Sequence, residues 1–349
     1  MTAVAAVRGV LPPHRYPQSE LTELFVRIGL PDQRQRALAR RLHTSTQVSY
    51  RHLALPIERY PQLTGFGARN DAFLEVGVEL GAQAVAGAIA DAGLTVEQVD
   101  VFMSTTVTGI AVPSLDARIA NRVGLRPDVK RLPLMGLGCV AGAAGIARLH
   151  DYLRGAPAEI AVLVSVELCS LTVQRDDPTV ANLVASGLFG DGAAAVVLTS
   201  DNAPGKPRVV DTRSHLYPDT ERAMGWDVGE SGLKIVLGAE VPDLVRHYLG
   251  NDVTGLLAEH ELTIADIGSW ISHPGGPKVI EAIQSVLGLE PEALARTWRS
   301  LREVGNLSSA SVLHVLRDTV AGPAPAPGTW GMLMAMGPGF CSELVLLRW

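Results

Sequence analysis

The stretch Leu94-Thr95-Val96-Glu97-Gln98-Val99-Asp100-Val101-Phe102-Met103-Ser104 decides how this chain is read, because it recurs. Its second copy is Leu262-Thr263-Ile264-Ala265-Asp266-Ile267-Gly268-Ser269-Trp270-Ile271-Ser272. The first copy is followed by Gly138-Cys139-Val140-Ala141-Gly142 and the second, at nearly the same offset, by Gly305-Asn306-Leu307-Ser308-Ser309. A third pair keeps the order, Gly190-Asp191-Gly192 before the apolar run 193–198 and Gly337-Pro338-Gly339 before the run 344–347. Self-similarity in one order marks a duplicated unit. The expected halves are 1–205, with a lone Cys at the key turn, and 206–349, with His273 and Asn306. A site between pseudo-symmetric halves follows.

The chain has 349 residues, 47% apolar and 19% charged, enough for a large core and too apolar for disorder. A net charge of −6 with no Lys/Arg run excludes a nucleic-acid binder. Three cysteines without CxxC spacing make neither a disulfide framework nor a zinc site, which favours a cytoplasmic location. The apolar N-terminus is broken at Pro12-Pro13, so a buried first strand is expected and no membrane span.

Short apolar runs alternate with helical patterns. Strands are expected over 4–11, 99–104, 131–134, 159–166 and 193–198, and helices over 19–28 with Ser19 as N-cap, 31–43, 70–92, 113–123 and 140–153. In the second half the helices are 241–257, 277–287 and 308–320, a strand holds Trp270-Ile271, and 330–336 with 342–347 form a closing hairpin. Residues 321–328 are too Pro-rich for regular structure, and 200–238 has no readable pattern. The class is α/β with buried sheets. The small-residue helices after Cys139 and Asn306 suit a central layer.

Cys139 ends an extended segment and opens a helix, where the dipole favours a thiolate, although a single Cys also serves as a small buried hydrophobe. Cys169 and Cys341 read as structural. His273 stands at a strand end before Pro274-Gly275-Gly276-Pro277. His43, His52, His150, His247 and His314 receive no role. Asn306 reads as an N-cap or, through the repeat, as the counterpart of Cys139 across one cavity. Together the three could hold an acyl thioester on sulfur and hydrogen-bond the carbonyl of a second, decarboxylating thioester. No metal or redox-cofactor motif is present.

Five ordered segments, Gly138-Cys139, Phe189-Gly190-Asp191-Gly192, Ser272-His273-Pro274-Gly275-Gly276-Pro277, Gly305-Asn306-Leu307-Ser308-Ser309 and Gly337-Pro338-Gly339, resemble the type III polyketide synthases, the chalcone synthase-like branch of the thiolase-fold condensing enzymes. The resemblance implies a duplicated, layered α-β-α-β-α fold and a homodimer using acyl-CoA and malonyl-CoA without a cofactor. It assigns Cys139 as nucleophile, with His273 and Asn306 driving malonyl decarboxylation. It places Thr172, Phe189, Trp226, Ile235, Ser308 and Met336 in the cavity, Val112 across the dimer, and Arg41, Gly275 and Gly276 against CoA. Leu38 and Ser45 stand where other family members are basic. The aliphatic Ile235 and Met336 suggest a long fatty acyl starter cyclised to an alkylresorcinol or alkylpyrone. The alternatives are a single-extension ketoacyl-ACP synthase III-like enzyme, a tetrahydroxynaphthalene-type synthase (disfavoured by the lack of a Cys near Ser104–Val107) and a catalytically silent scaffold.

Overall fold

The computed structural model describes residues 2–200, 205–323 and 325–349. Met1, residues 201–204 of the unread stretch and position 324 of the Pro-rich loop lie outside the described residues. The first half runs β1 (Thr2–Val10), β2 (His14–Pro17), α1 (Gln18–Gly29), α2 (Gln33–Ser45), β3 (Tyr50–Leu53), α3 (Gly65–Asp91), β4 (Val101–Thr106), α4 (Leu115–Val123), β5 (Lys130–Met135), α5 (Ala141–Gly155), β6 (Ala161–Leu168), α6 (Val180–Leu188) and β7 (Asp191–Thr199). The second runs β8 (Arg208–Leu216), β9 (Met224–Gly229), β10 (Gly232–Leu237), α7 (Val241–Ala258), β11 (Ile267–Ser272), α8 (Pro277–Leu287), α9 (Ala295–Val304), α10 (Ser309–Ala321), β12 (Trp330–Gly337) and β13 (Cys341–Arg348).

The recurring stretch folds the same way twice. Thr95 and Thr263 each cap a single 3-10 turn through a capping box, closed by Gln98 in one copy and Asp266 in the other. Those turns feed β4 and β11. The main sheet has the order β11-β12-β13-β8-β1-β7-β6-β4-β5. Parallel β4–β6, antiparallel β6–β7 and antiparallel β7–β1 are matched by parallel β11–β12, antiparallel β12–β13 and antiparallel β13–β8. The halves meet at a narrow seam where Thr2 and Ala3 pair with Val209 and Arg208. Edge strand β5 has no counterpart.

Strand side chains alternate between two cores. On β6, Ala161 and Leu163 face a central core shared with Ile146 of α5 and Val312 of α10, while Val162 and Val164 face α3. Met332 and Leu346 face a third core under α7 and α8. Helices therefore cover both outer faces and fill the middle, giving five layers. Burial on both faces explains why these strands read as unbroken apolar runs. In the middle layer α5 and α10 touch closely, and a Cβ on Gly142 would stand 2.3 Å from the Ser309 carbonyl oxygen.

Helix α3 is long and apolar enough to cross a membrane by composition. Here it is a core helix, with Phe73, Leu80, Val85 and Ile89 buried against the sheet.

Two caps differ from expectation. Ser19 does not cap α1, which starts at Gln18 behind Pro17 without a side-chain cap. Helix α2 starts later than residue 31, because Asp32 accepts the Gln35 N–H at 3.0 Å. The unread stretch holds β8 and the β9–β10 hairpin. β8 and β10 are buried only in part and β9 has no fully buried residue, so neither periodicity stands out.

Candidate active site

Gly138 and Gly305 immediately precede Cys139 and Asn306, and both are left-handed, at φ +57° and +76°. Their surroundings are exchanged between the halves. A Cβ on Gly138 would meet the Pro338 ring at 2.6 Å, and one on Gly305 would meet the Leu188 carbonyl at 2.7 Å. Likewise a Cβ on Gly337 would meet the Leu137 carbonyl at 2.7 Å, and one on Gly190 the Val304 carbonyl at 2.4 Å. Each half's functional turn is seated against the glycine turn of the other. A short backbone bridge joins Phe189 to Asn306, with Gly190 N–H donating to Asn306 O and Asn306 N–H to Leu188 O, both at 2.9 Å.

Between these turns lies a cavity of about 460 Å³. Cys139, His273, Asn306 and Ser308 all line it. Cys139 sits in a 3-10 turn, Gly138–Val140, just before α5 rather than in its first turn. Its thiol donates to Ser308 Oγ at 3.7 Å. The exposed part of Cys139 faces this enclosed, largely apolar space. Desolvation, opposed by the hydrogen bond to Ser308 and helped by the buried Glu167 carboxyl, pushes its pKa up to about 12. Burial thus acts against the thiolate that the neighbouring helix start favours.

His273 is 4% exposed, and neither ring nitrogen has a hydrogen-bond partner. Its N–H donates to Met334 O at 2.9 Å, which extends the β11–β12 ladder and fixes the ring beside the cavity. Burial lowers its pKa to about 3, so the imidazole is neutral. Asn306 Oδ1 accepts the Ser308 N–H at 2.8 Å, which leaves the Nδ2 end as the donor for the cavity. Ser308 holds that geometry at φ +48°, a strained value for a non-glycine.

Phe189, Trp226, Ile235, Met336, Gly275 and Gly276 also line the cavity. Trp226 and Ile235 face each other across the β9–β10 pair. Three expected residues lie elsewhere. Thr172 closes a 3-10 turn with its hydroxyl on Cys169 O at 2.8 Å, and borders a separate small void with Thr108 and Gln174. Val112 is 94% exposed at the loop before α4. Arg41 is exposed on α2 and does not line the cavity, although its neighbours Leu42 and Ser45 do.

Sequence reasoning passed over Cys169, which lines the cavity, and Glu167. Glu167 Oε2 accepts from Val107 N–H at 3.1 Å and Thr108 Oγ1 at 2.9 Å, and Oε1 accepts from Ser309 Oγ at 2.5 Å. Desolvation raises its pKa while those donors lower it. The available signal was a lone acid in an otherwise apolar strand, a pattern that demands partners. His43 and His314 are packing residues: His43 bridges Thr22 and Ser186, and His314 bonds Ala193 O.

A duplicated fold with one cavity between its halves is the build of a condensing acyltransferase. Residues 1–202 match the family described as chalcone and stilbene synthases, N-terminal domain, and residues 208–349 match its C-terminal domain. The chain belongs to the chalcone and stilbene synthase family and is a type III polyketide synthase. It is 58% identical to a 1,3,6,8-tetrahydroxynaphthalene synthase of Streptomyces peucetius subsp. caesius, over 100% of this chain and 93% of that protein. It is 35% identical to a putative chalcone synthase of Bacillus subtilis, over 87% and 86%. The solved 1,3,6,8-tetrahydroxynaphthalene synthase of Streptomyces coelicolor A3(2) superposes with a TM-score of 0.94 at 32% identity, covering 99% of each chain.

Proposed function

We propose that this polyketide synthase builds 1,3,6,8-tetrahydroxynaphthalene from malonyl-CoA alone. The observation that carries the reading is the 58% identity along the entire chain to a protein of that name. The fatty acyl starter and alkylresorcinol or alkylpyrone product expected from Ile235 and Met336 find no support among the relatives named above. An aliphatic lining accommodates any growing apolar chain, so it does not select a starter.

The chemistry assigned to the cavity is as follows. His273 takes the Cys139 proton, the thiolate attacks a CoA thioester, and the departing CoA sulfur takes that proton back. Burial disfavours each ion singly, but moving one proton from Cys139 to His273 leaves the cavity neutral overall, and Coulomb attraction offsets part of both costs. Malonyl-CoA then loses CO₂, and its thioester oxygen becomes an enolate. Neutral His273 and the Asn306 Nδ2 group donate to that oxygen. The enolate carbon attacks the Cys139 thioester, and the sulfur leaves as the thiolate, ready to take up the extended chain from CoA. The substrates are CoA thioesters and no cofactor takes part. The enzyme is read as a cytoplasmic homodimer, with Val112 reaching the second copy.

Mass spectrometry of products from malonyl-CoA alone, then with a ladder of acyl-CoA starters, tests the reading. A ten-carbon aromatic from malonyl-CoA alone is expected. Products only with long acyl-CoA would restore the fatty-starter reading. A single-extension product, or dependence on acyl carrier protein, would move the chain to a ketoacyl synthase III-like role.

A further inference from the structure

A second pocket, of about 90 Å³, opens between α1, β3 and the start of α3 and shares no lining residue with the main cavity. Three arginines line it, Arg51 of β3, Arg69 of α3 and Arg175, and among the described residues no carboxylate does. None of the three forms an ion pair among the described residues, and every acceptor they reach is neutral. Arg51 donates from Nε to Gln18 Oε1 and from Nη1 to Phe189 O, both at 2.9 Å. Arg69 Nη1 donates to Val173 O at 3.1 Å, and Arg175 to the Pro61 and Leu63 carbonyls at 3.3 and 2.7 Å. Asp191 acts on Arg51 only from beyond ion-pair distance, being held by the Ala54 and Ser170 N–H groups, and Asp176 acts on Arg69 in the same way. Arg51 is 4% exposed, and desolvation lowers its pKa to about 10, which leaves it a cation at neutral pH. Desolvation and then the Arg175 charge lower the pKa of Arg69. Like charges gathered without a counter-ion are costly, and a bound anion would relieve that cost.

The opposite wall is hydrocarbon. Leu21, Leu24, Phe25 and Ile28 form one face of α1 at helical spacing, and all four line the pocket, with Ile28 37% exposed at its rim. A cationic end beside an apolar side suits a small amphipathic anion. A volume about one fifth of the main cavity's excludes a CoA thioester or a long acyl chain. We propose that this pocket binds a short aliphatic carboxylate, its head on Arg51, Arg69 and Arg175 and its tail against α1. Planar guanidinium groups match a carboxylate well. Arg51 also carries occupancy inward. It holds Phe189 O, and a Cβ on Gly305 would meet its side chain at 3.3 Å, so one guanidinium stem braces both ends of the Phe189–Asn306 bridge. Its Nη2 makes no hydrogen bond among the described residues, and a carboxylate there would fix the side chain in that bracing position.

The test needs no turnover and so stands apart from the proposed product. Sodium butyrate is titrated into the purified enzyme by calorimetry at fixed ionic strength, beside neutral butyramide and inorganic phosphate. Saturable binding of butyrate is expected, with none of butyramide and weaker binding of phosphate, which has no tail. Arg69→Gln should weaken butyrate about tenfold, the loss of one hydrogen bond to a charge. Ile28→Glu, at the exposed rim, should weaken it too by placing a like charge beside the carboxylate. In the native enzyme bound butyrate should slow amide exchange at Gly190 and Asn306, whose N–H groups make the bridge, and the same butyrate concentration should slow it less in Arg69→Gln. The inference is overturned by no saturable binding to the native enzyme, or by native affinity in both variants, which would place butyrate elsewhere. Phosphate binding more tightly than butyrate would overturn the aliphatic assignment. Binding that leaves exchange at Gly190 and Asn306 unchanged would overturn the link to the bridge.

Discussion

The two halves share a scaffold and divide the chemistry. In the first, a left-handed glycine presents Cys139 from a 3-10 turn, and in the second a left-handed glycine presents Asn306 ahead of α10. One turn offers a nucleophile and the other an amide donor. Each turn is seated on the other half, Gly138 against Pro338 and Gly305 against Leu188, and the two backbones then diverge, since Ser308 at φ +48° has no counterpart after Cys139. Duplication thus brought two equivalent turns to one cavity, and divergence at one position in each made them complementary. It follows that removing either side chain should spare the fold while disabling different steps.

The largest effect belongs to Cys139→Ala. Without sulfur no acyl-enzyme forms, and condensation should fall by more than about a thousandfold with the melting temperature little changed. Residual product near the native rate would break the assignment of the nucleophile to the first half. Asn306→Ala should reduce malonyl-CoA decarboxylation by about 10²- to 10³-fold, the usual loss for one oxyanion donor. Acylation of Cys139, read by intact-protein mass, should fall far less. Equal losses in both assays would mean that Asn306 holds the fold of the site rather than the enolate.

His273→Gln sharpens the same division through pH. Burial sets the Cys139 thiol at about 12 and the His273 imidazole at about 3, so at pH 7 both are neutral and sulfur ionises only by handing its proton over. Alkylation of Cys139 by iodoacetamide at pH 7 should therefore slow by about tenfold or more in His273→Gln. The two rates should converge as pH rises toward the thiol's own pKa. Equal rates at pH 7 would show that His273 does not receive the proton.

Gly142→Ala probes where the halves touch. Its methyl would lie 2.3 Å from the Ser309 carbonyl oxygen and 2.8 Å from the Val312 side chain, so α5 and α10 must separate. A loss of about 3 kcal/mol in a urea titration is expected for this overpacking. Little change would mean that the central layer is loosely packed.

What could be read from the chain depended on repetition and on glycine. The pairs Gly138-Cys139 and Gly305-Asn306 are visible because a backbone that must pass close to another admits no Cβ. His273 is visible for another reason, since Gly276 in the turn after it has φ +136°, which favours glycine. Glu167 was not read, because its donors come from residues 107–108 and from Ser309, distant in sequence. Thr172 comes from the resemblance, and here its hydroxyl is turned onto the Cys169 carbonyl and does not line the cavity. The product was beyond reach for another reason. The lack of a Cys near Ser104–Val107 was weighed against naphthalene formation, yet the position, Val107, is one of many lining residues, and pocket contacts of that size shift preference by only about 1–3 kcal/mol.

The smallest effects test the duplication itself. Thr95 and Thr263 occupy the same place in the two copies of the opening stretch. The Thr95 N–H donates to Gln98 Oε1 at 2.8 Å, and the Thr263 N–H to Asp266 Oδ2 at 2.7 Å, while each hydroxyl caps the N3 amide. Both threonines are exposed, so truncation removes the cap without opening a cavity. Thr95→Ala and Thr263→Ala should each cost about 1 kcal/mol. The sites lie on opposite halves with no shared partner, so the double variant should lose the sum within about 0.5 kcal/mol. The Asp266 carboxylate also accepts the Thr263 hydroxyl at 2.7 Å, and this holds its pKa below the usual value. That contact has no match at Gln98. A folded-state pKa below the unfolded one contributes stability above the unfolded pKa and loses it as pH falls through the folded value. The Thr95 side chain likewise lowers the pKa of Glu97, so the Thr263→Ala and Thr95→Ala deficits should both shrink in acid. Deficits that stay the same between neutral and acid pH would mean that neither carboxylate draws stability from its threonine, and that the two caps act through the neutral hydroxyl alone.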